Sequence, residues 1–243
     1  SNPRRDLHPS TAAIRTCYHP GWSEGSVKPP VFRTSTFEFR NSAEGALFFQ
    51  RAYGLPGSDG KDPGLVYSRL NNPNTEIFEG KMVALEPGAE FAAAFPSGMS
   101  AITTTIFALL PMGGRILYTD PVYGGSYYFF QHLGPERFGM EAIPVDTSNL
   151  AATEAILKAK GPFDMVFLET PANPTMTFTD IGAVSDLARK YCSEKVLVVV
   201  DNTFLGPVFQ NPLRFGADVV IYSATKYIGG HSDLIAGVTL VRK

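Results

Sequence analysis

The sequence predicts an α/β protein built around a mainly parallel sheet flanked by helices. Three observations carry that prediction. From Leu65 onward, short apolar runs alternate with segments of helical period. The run Val196-Leu197-Val198-Val199-Val200 is apolar at every position, the mark of a strand buried on both faces. With 243 residues and a hydrophobic fraction of 44%, the chain can fill one large domain, or one domain plus an arm.

Taken in order, residues 1–65 read as an N-terminal arm with loops, punctuated by Pro29-Pro30, Pro56-Gly57 and Asp62-Pro63-Gly64. Within it, Ala43, Ala46, Leu47 and Phe49 recur near helical spacing and predict a short helix over Ser42–Tyr53. Residues 66–243 read as the large domain. Its strands are expected at Phe91–Phe95, Arg115–Thr119, Met165–Glu169, Val196–Val200, Val219–Tyr222 and Gly237–Val241. Helices are expected at Glu76–Leu85, Met99–Leu110, Gly125–His132, Leu150–Lys158 and Ile181–Tyr191. No internal repeat or coiled-coil heptad interrupts the alternation.

Composition narrows the function classes. Lys plus Arg is 21 against 23 Asp plus Glu, a net charge of −2 that supplies no basic surface for nucleic acid. Cys17 and Cys192 cannot build a disulfide framework and form no CxxC pair, so reduced thiols are expected. No apolar run is long enough to span a membrane, and Ser1–Pro9 lacks the apolar stretch of a signal peptide. A cytoplasmic protein without membrane or nucleic-acid partners is the expectation. His132 and His231 have no spacing that suggests a metal pair, and no metal is expected.

Polar residues collect where the strands end: Asp120, Glu169-Thr170, Asp201-Asn202 and Ser223-Ala224-Thr225-Lys226. Ligands of open α/β sheets bind beyond the carboxyl ends of strands, so one shared site is expected there. A lysine at the edge of a buried strand either snorkels to solvent or is used as an amine nucleophile with a lowered pKa, suited to a Schiff base. Asp201 ends the most apolar strand and calls for a cationic partner, such as a pyridinium nitrogen, or for local backbone donors. Pro96-Ser97-Gly98-Met99-Ser100 leaves a strand and opens a helix, which makes either an anion site or an ordinary N-cap. Tyr123, beside Gly124-Gly125, could lie flat on an aromatic ring or simply pack.

Together these pieces resemble one family. Ser223-Ala224-Thr225-Lys226-Tyr227, followed by Gly230-His231-Ser232-Asp233, is similar to the lysine signature of the Cys/Met metabolism family of fold-type I pyridoxal phosphate (PLP) enzymes. Tyr67-Ser68-Arg69, Asn72-Pro73, Ser97-Gly98-Met99, Tyr123-Gly124-Gly125, Glu169-Thr170-Pro171-Ala172-Asn173-Pro174 and Val200-Asp201-Asn202-Thr203 follow the family's order. The resemblance covers about residues 65–243 and implies a fold-type I large domain. It implies that Lys226 carries pyridoxal 5'-phosphate as a Schiff base and moves protons, and that Asp201 pairs with the pyridinium nitrogen. Tyr123 would stack on the ring and assist as acid or base, and Asn173 would reach the ring hydroxyl. Ser97, Gly98, Met99, Ser223 and Thr225 would surround the phosphate. Tyr67 and Arg69 would reach the phosphate of a neighbouring subunit, within a homotetramer built from dimers that share active sites.

The implied reaction is γ-elimination from a sulfur-containing or related γ-substituted amino acid, of the cystathionine or methionine γ-lyase kind, giving a 2-oxo acid and ammonia. A γ-replacement synthase and a non-catalytic cofactor-binding fragment are the alternatives. Gly125 stands where methionine γ-lyases usually carry cysteine, and Gly54–Gly64 is longer than the family norm. The family's smaller C-terminal domain, with its carboxylate-binding arginine, has no counterpart before Lys243, so this length alone is expected to be inactive. Ser223-x-x-Lys226 also fits the SxxK nucleophile motif of β-lactamases, but the companion SDN and KTG motifs are missing. Neither GxGxxG nor GxxxxGK[ST] occurs to support nucleotide binding.

Overall fold

The computed structural model describes residues 7–242. The chain divides into two compact units: one holds the residues up to Thr16 and from Glu79 onward, the other Cys17–Phe78.

The larger unit carries seven strands: β1 (Phe91–Phe95), β2 (Arg115–Thr119), β3 (Glu141–Val145), β4 (Met165–Glu169), β5 (Leu197–Asp201), β6 (Val219–Tyr222) and β7 (Gly237–Val241). They form one sheet in the order β1-β7-β6-β5-β4-β2-β3. Strand β7 runs antiparallel to both β1 and β6, and every other pairing is parallel. Strands β4 and β6 are buried at every position, and all their residues are apolar except Glu169 at the end of β4. Alternate residues Ile116 and Tyr118, Met165 and Phe167, and Val219 and Ile221 point to one face. There they pack with Ile102 and Ile106 of helix α4 (Gly98–Leu109) and with Phe129 and Phe130.

Five strand boundaries coincide with the sequence expectation, while β5 starts and ends one residue later than expected. Strand β3 was not expected. Its sequence, Glu-Ala-Ile-Pro-Val, carries Pro144, which normally argues against a strand, yet β3 lies at the sheet edge where a missing N–H is tolerated. The helix expected over Gly125–His132 is a composite: Gly124–Tyr128 (α5), one π turn over Phe129–Leu133, and Gly134–Phe138 (α6). Pro135 has no N–H to complete a regular turn, which fits the wider π spacing just before it. Helix α7 (Leu150–Lys160) is capped by Asn149, and α8 (Ile181–Tyr191) by Asp180, whose Oδ1 accepts the Ala183 N–H.

In the smaller unit, helix α2 (Ser42–Ala52) starts at Asn41, whose side chain accepts the Glu44 N–H. Arg51 on that helix grips Asp59 with two hydrogen bonds of 2.6 Å, holding the Gly54–Gly64 segment back on α2. The guanidinium keeps the Asp59 carboxyl well below its ordinary range. Helix α3 (Pro73–Leu85) continues across the boundary between the units in the chain. Short helices at Pro9–Arg15 (α1), Pro20–Trp22 (3-10), Gly206–Phe209 (α9) and Pro212–Phe215 (3-10) were not expected, since each is too brief for a periodic signal.

Candidate active site

Strands β4, β5 and β6 are adjacent and parallel, so their carboxyl ends open on the same edge. A cavity of about 270 Å³ lies there, lined by polar groups from Glu169, Asn173, Asp201, Ser223 and Lys226, among others. Every residue lining it belongs to the larger unit.

Asp201 is buried, and its Oδ1 accepts hydrogen bonds from the Thr203 N–H at 3.0 Å and the Thr203 hydroxyl at 2.5 Å. The Thr203 Oγ1 in turn accepts the Ser223 N–H at 2.8 Å, tying the end of β5 to the turn that follows β6. Burial holds the Asp201 carboxyl above its ordinary pKa. The sheet register places Glu169 directly beside Asp201. Burial first, and then the neighbouring Asp201 charge, push Glu169 up to about 8.

The mouth of α4 supplies donors. Ser97 is its N-cap: its Oγ accepts the Ser100 N–H at 3.0 Å, and the Ser100 hydroxyl oxygen accepts the Ser97 N–H in return. That box leaves the N–H groups of Gly98 and Met99, the first two of the helix, without an intrahelical acceptor. Gly98 is required by close approach, because a Cβ there would sit 2.6 Å from the Ser223 Cβ. The Ser97 hydroxyl is committed to capping, and the Thr225 hydroxyl exchanges hydrogen bonds with the backbone of Ala236.

Tyr123 is the N-cap of α5, is 45% exposed and lines the cavity. Asn173 lines it from the loop after β4. Lys226 also lines the cavity but is exposed; of the two alternatives open from its sequence context, it is the lysine that reaches solvent rather than the desolvated amine. Three residues of turn separate it from the end of β6, enough to lift the ammonium clear of the buried sheet. Tyr67 and Arg69 belong to the smaller unit, where the Arg69 guanidinium lies over the Tyr67 ring at 5.3 Å. The Ser68 and Asn72 side chains are turned inward, with Ser68 Oγ bonded to the Thr34 carbonyl and to Asn72 Nδ2, while Tyr67 and Arg69 face outward. From the sequence Glu169 was expected at the shared site only as one of the polar residues at strand ends, with no chemical role, and Thr203 only as a possible local donor to Asp201, which it is.

These groups fit a phosphorylated pyridine aldehyde: a primary amine, two helix N–H donors for an anion, and a buried carboxylate to accept from a ring nitrogen. The profile of the family described as Cys/Met metabolism PLP-dependent enzyme matches residues 10–243. The chain belongs to that family. It is 42% identical over 235 residues to an L-methionine gamma-lyase of Pseudomonas deceptionensis, covering 96% of this chain and 55% of that one. The cystathionine gamma-lyase of Homo sapiens is 37% identical over 235 residues, covering 96% of this chain and 52% of that protein. The crystal structure of metB from Corynebacterium glutamicum superposes with a TM-score of 0.83 at 33% identity, covering 99% of this chain and 56% of the other. The family fold is therefore present, as the resemblance implied. The chain spans about half the length of the curated relatives it matches.

Among the described residues no group of three or more His, Cys, Asp or Glu could hold a metal ion. Among the same residues no helix is long and apolar enough to cross a membrane.

Proposed function

We propose that this chain forms the cofactor-binding part of a PLP-dependent γ-elimination lyase acting on sulfur-containing or related γ-substituted amino acids. The observation that carries the reading is the convergence of Lys226, Asp201, Tyr123, Asn173 and the mouth of α4 on one cavity. Relatives named methionine and cystathionine gamma-lyase, at about 40% identity, support the choice of elimination.

When bound, PLP supplies an electron sink that stabilises negative charge at the substrate α-carbon. The chain's residues provide the rest. Lys226 Nζ, the primary amine at the cavity wall, would hold the cofactor and would serve as general base for the substrate α-proton. Asp201, anchored through Oδ1 by Thr203, keeps its other oxygen available to the ring nitrogen. The Gly98 and Met99 N–H groups hold phosphate oxygens with the dipole of α4 behind them. Ser223 adds a hydroxyl from across the close contact with Gly98. Ser97 acts by capping α4, and Thr225 by fixing the turn to Ala236, so both support the anion site indirectly. Tyr123 would pack against the cofactor and act as acid or base, and Asn173 would hydrogen-bond its ring hydroxyl. Tyr67 and Arg69 serve the phosphate of a second copy in a homotetramer. A cytoplasmic setting belongs to the same reading.

The test begins with borohydride reduction of the protein after addition of PLP, followed by peptide mass mapping. A pyridoxyl adduct on Lys226 that is absent in Lys226→Ala is expected; no adduct at that residue would refute the site. Release of 2-oxo acid from methionine or cystathionine by the complete gene product would establish elimination. Thiol-dependent product without 2-oxo acid would replace it with γ-replacement.

A further inference from the structure

Neither the sequence motifs nor the proposed reaction assigns Glu169 a role, yet it is one of the most constrained groups in the cavity wall. Its side chain is 5% exposed at the last position of β4. Oε1 accepts the Asn173 N–H at 2.8 Å and the Tyr123 N–H at 3.1 Å, and Oε2 accepts the Tyr123 N–H at 3.2 Å. Those two amides come from different loops, one between β2 and α5 and the other between β4 and α8. Each belongs to a residue whose side chain lines the cavity.

We propose that Glu169 is a positioning residue, one carboxyl group that locks the loops bearing Tyr123 and Asn173 against each other and against Asp201. The proposal rests on reading the cavity as the PLP site. An acid held this deeply is costly beside a second carboxylate, and a Leu or Val would fill the strand end at no such cost. What an apolar residue cannot do is accept two amides from two loops at once. The cost is therefore matched to a geometric requirement, because Tyr123 starts α5 with no side-chain cap and its entry angle depends on the acceptor offered to its N–H. Asn173 precedes Pro174, which has no N–H, and the Ala172 N–H on its other side is given to the Thr177 carbonyl. Asp201, the neighbour in register, remains the group that meets the ring, and Glu169 acts through the loops.

Three variants separate this from a merely structural role. Glu169→Leu fills the volume without an acceptor. Glu169→Asp withdraws the acceptor by one methylene, and serves if the leucine variant does not fold. Glu169→Gln retains one carbonyl oxygen. In protein without added cofactor, peptide-resolved hydrogen exchange should speed up at least about tenfold around Tyr123 and Asn173 in Glu169→Leu or Glu169→Asp, and stay near wild type in Glu169→Gln. Exchange in β2, β5 and β6 should not change. With PLP added, the same two variants should lose at least about tenfold in PLP affinity and show altered visible circular dichroism per unit of bound cofactor, with Glu169→Gln restoring both. Exchange raised uniformly over the sheet, or unchanged at both loops, overturns the positioning role. Loop exchange that responds as expected in a wild-type protein that binds no PLP would uphold the positioning role and refute the reading of the cavity.

Discussion

Glu86 offers a quantitative check on the physics of the fold. It follows α3, is fully buried, receives the Tyr222 hydroxyl on Oε2 at 2.6 Å, and has no hydrogen-bond partner for Oε1 among the described residues. Burial raises its pKa from 4.5 to about 7, outweighing Tyr222, Asn211, the Leu213 N–H and the Arg214 charge, all of which favour the anion. The unfolded chain therefore releases this proton near pH 4.5 and the folded chain near pH 7. Between those values the folded state binds more protons, so stability falls as the pH rises through the window and levels off above it. At about 1.4 kcal/mol for each pH unit of that gap, the loss approaches roughly 3 kcal/mol. Glu86→Gln removes the titration while keeping a similar shape. Urea unfolding of both proteins at about pH 5 and about pH 8, followed by far-ultraviolet circular dichroism, reads the effect. The variant should gain up to about 3 kcal/mol on wild type between the two pH values. Glu169 and Asp201, also raised by burial, contribute to both proteins and drop out of the difference. A variant that keeps a constant offset from wild type across that range would refute the reasoning.

Three further outcomes are expected. Gly98→Ala forces a Cβ to within 2.6 Å of the Ser223 Cβ, so PLP affinity measured by absorbance titration should fall by at least about tenfold. Gly125→Ala would place a methyl 2.7 Å from the Tyr123 ring, and a crystal structure of the variant should show that ring displaced with the strands unmoved. Asp218 accepts the Val198 N–H at 2.9 Å and the Arg189 guanidinium at 3.1 Å while only partly exposed, so Asp218→Asn should cost about 2 kcal/mol. For a chain of this size that loss lowers Tm by roughly 4–8 °C in a thermal melt.

The sheet was legible where its residues obey one rule at a time. Strand β6 and the first four residues of β4 are apolar without alternation because both faces of the sheet are covered there, and their shortness favours strand over helix. Helix α8 was legible to the residue because Asp180 supplies a capping side chain just ahead of the first buried residue, Ile181. Strand β3 escaped because Pro144 is a breaker in general and harmless only at an edge, and edge status is a property of the assembled sheet. The same limit applies to the site. Asp201 and Lys226 announce themselves as costly residues at strand ends, but the bond from Ser223 to Thr203 spans 20 residues and that from Tyr123 to Glu169 spans 46. Such pairings depend on which strands become neighbours, and the order β6-β5-β4-β2 has no local signal. The exposure of Lys226 depends on turn length in the same way.

That topology sets two carboxyl groups, Glu169 and Asp201, at the same register on adjacent strands, and the fold bears a cost for it. The cost falls most plainly on Asp201, where burial raises the pKa and the oxygen not held by Thr203 has no hydrogen-bond partner among the described residues. Because the folded pKa lies above that of the unfolded chain, the penalty grows as the pH rises through the window between the two values and is complete above the folded one. Asp201→Asn keeps an acceptor for Thr203 and removes the charge, so without cofactor the variant should unfold at higher temperature than wild type at about pH 8. A gain of about 0.5–2 kcal/mol is the common size for relief of this kind. The same variant cannot offer a carboxylate to a ring nitrogen, and its PLP affinity should drop by at least about tenfold. Opposite changes in the two quantities would mark Asp201 as a group kept for binding at the expense of stability. An asparagine variant that is less stable in the absence of cofactor would show that the carboxylate supports the fold, and the ring-nitrogen assignment would lose its energetic basis.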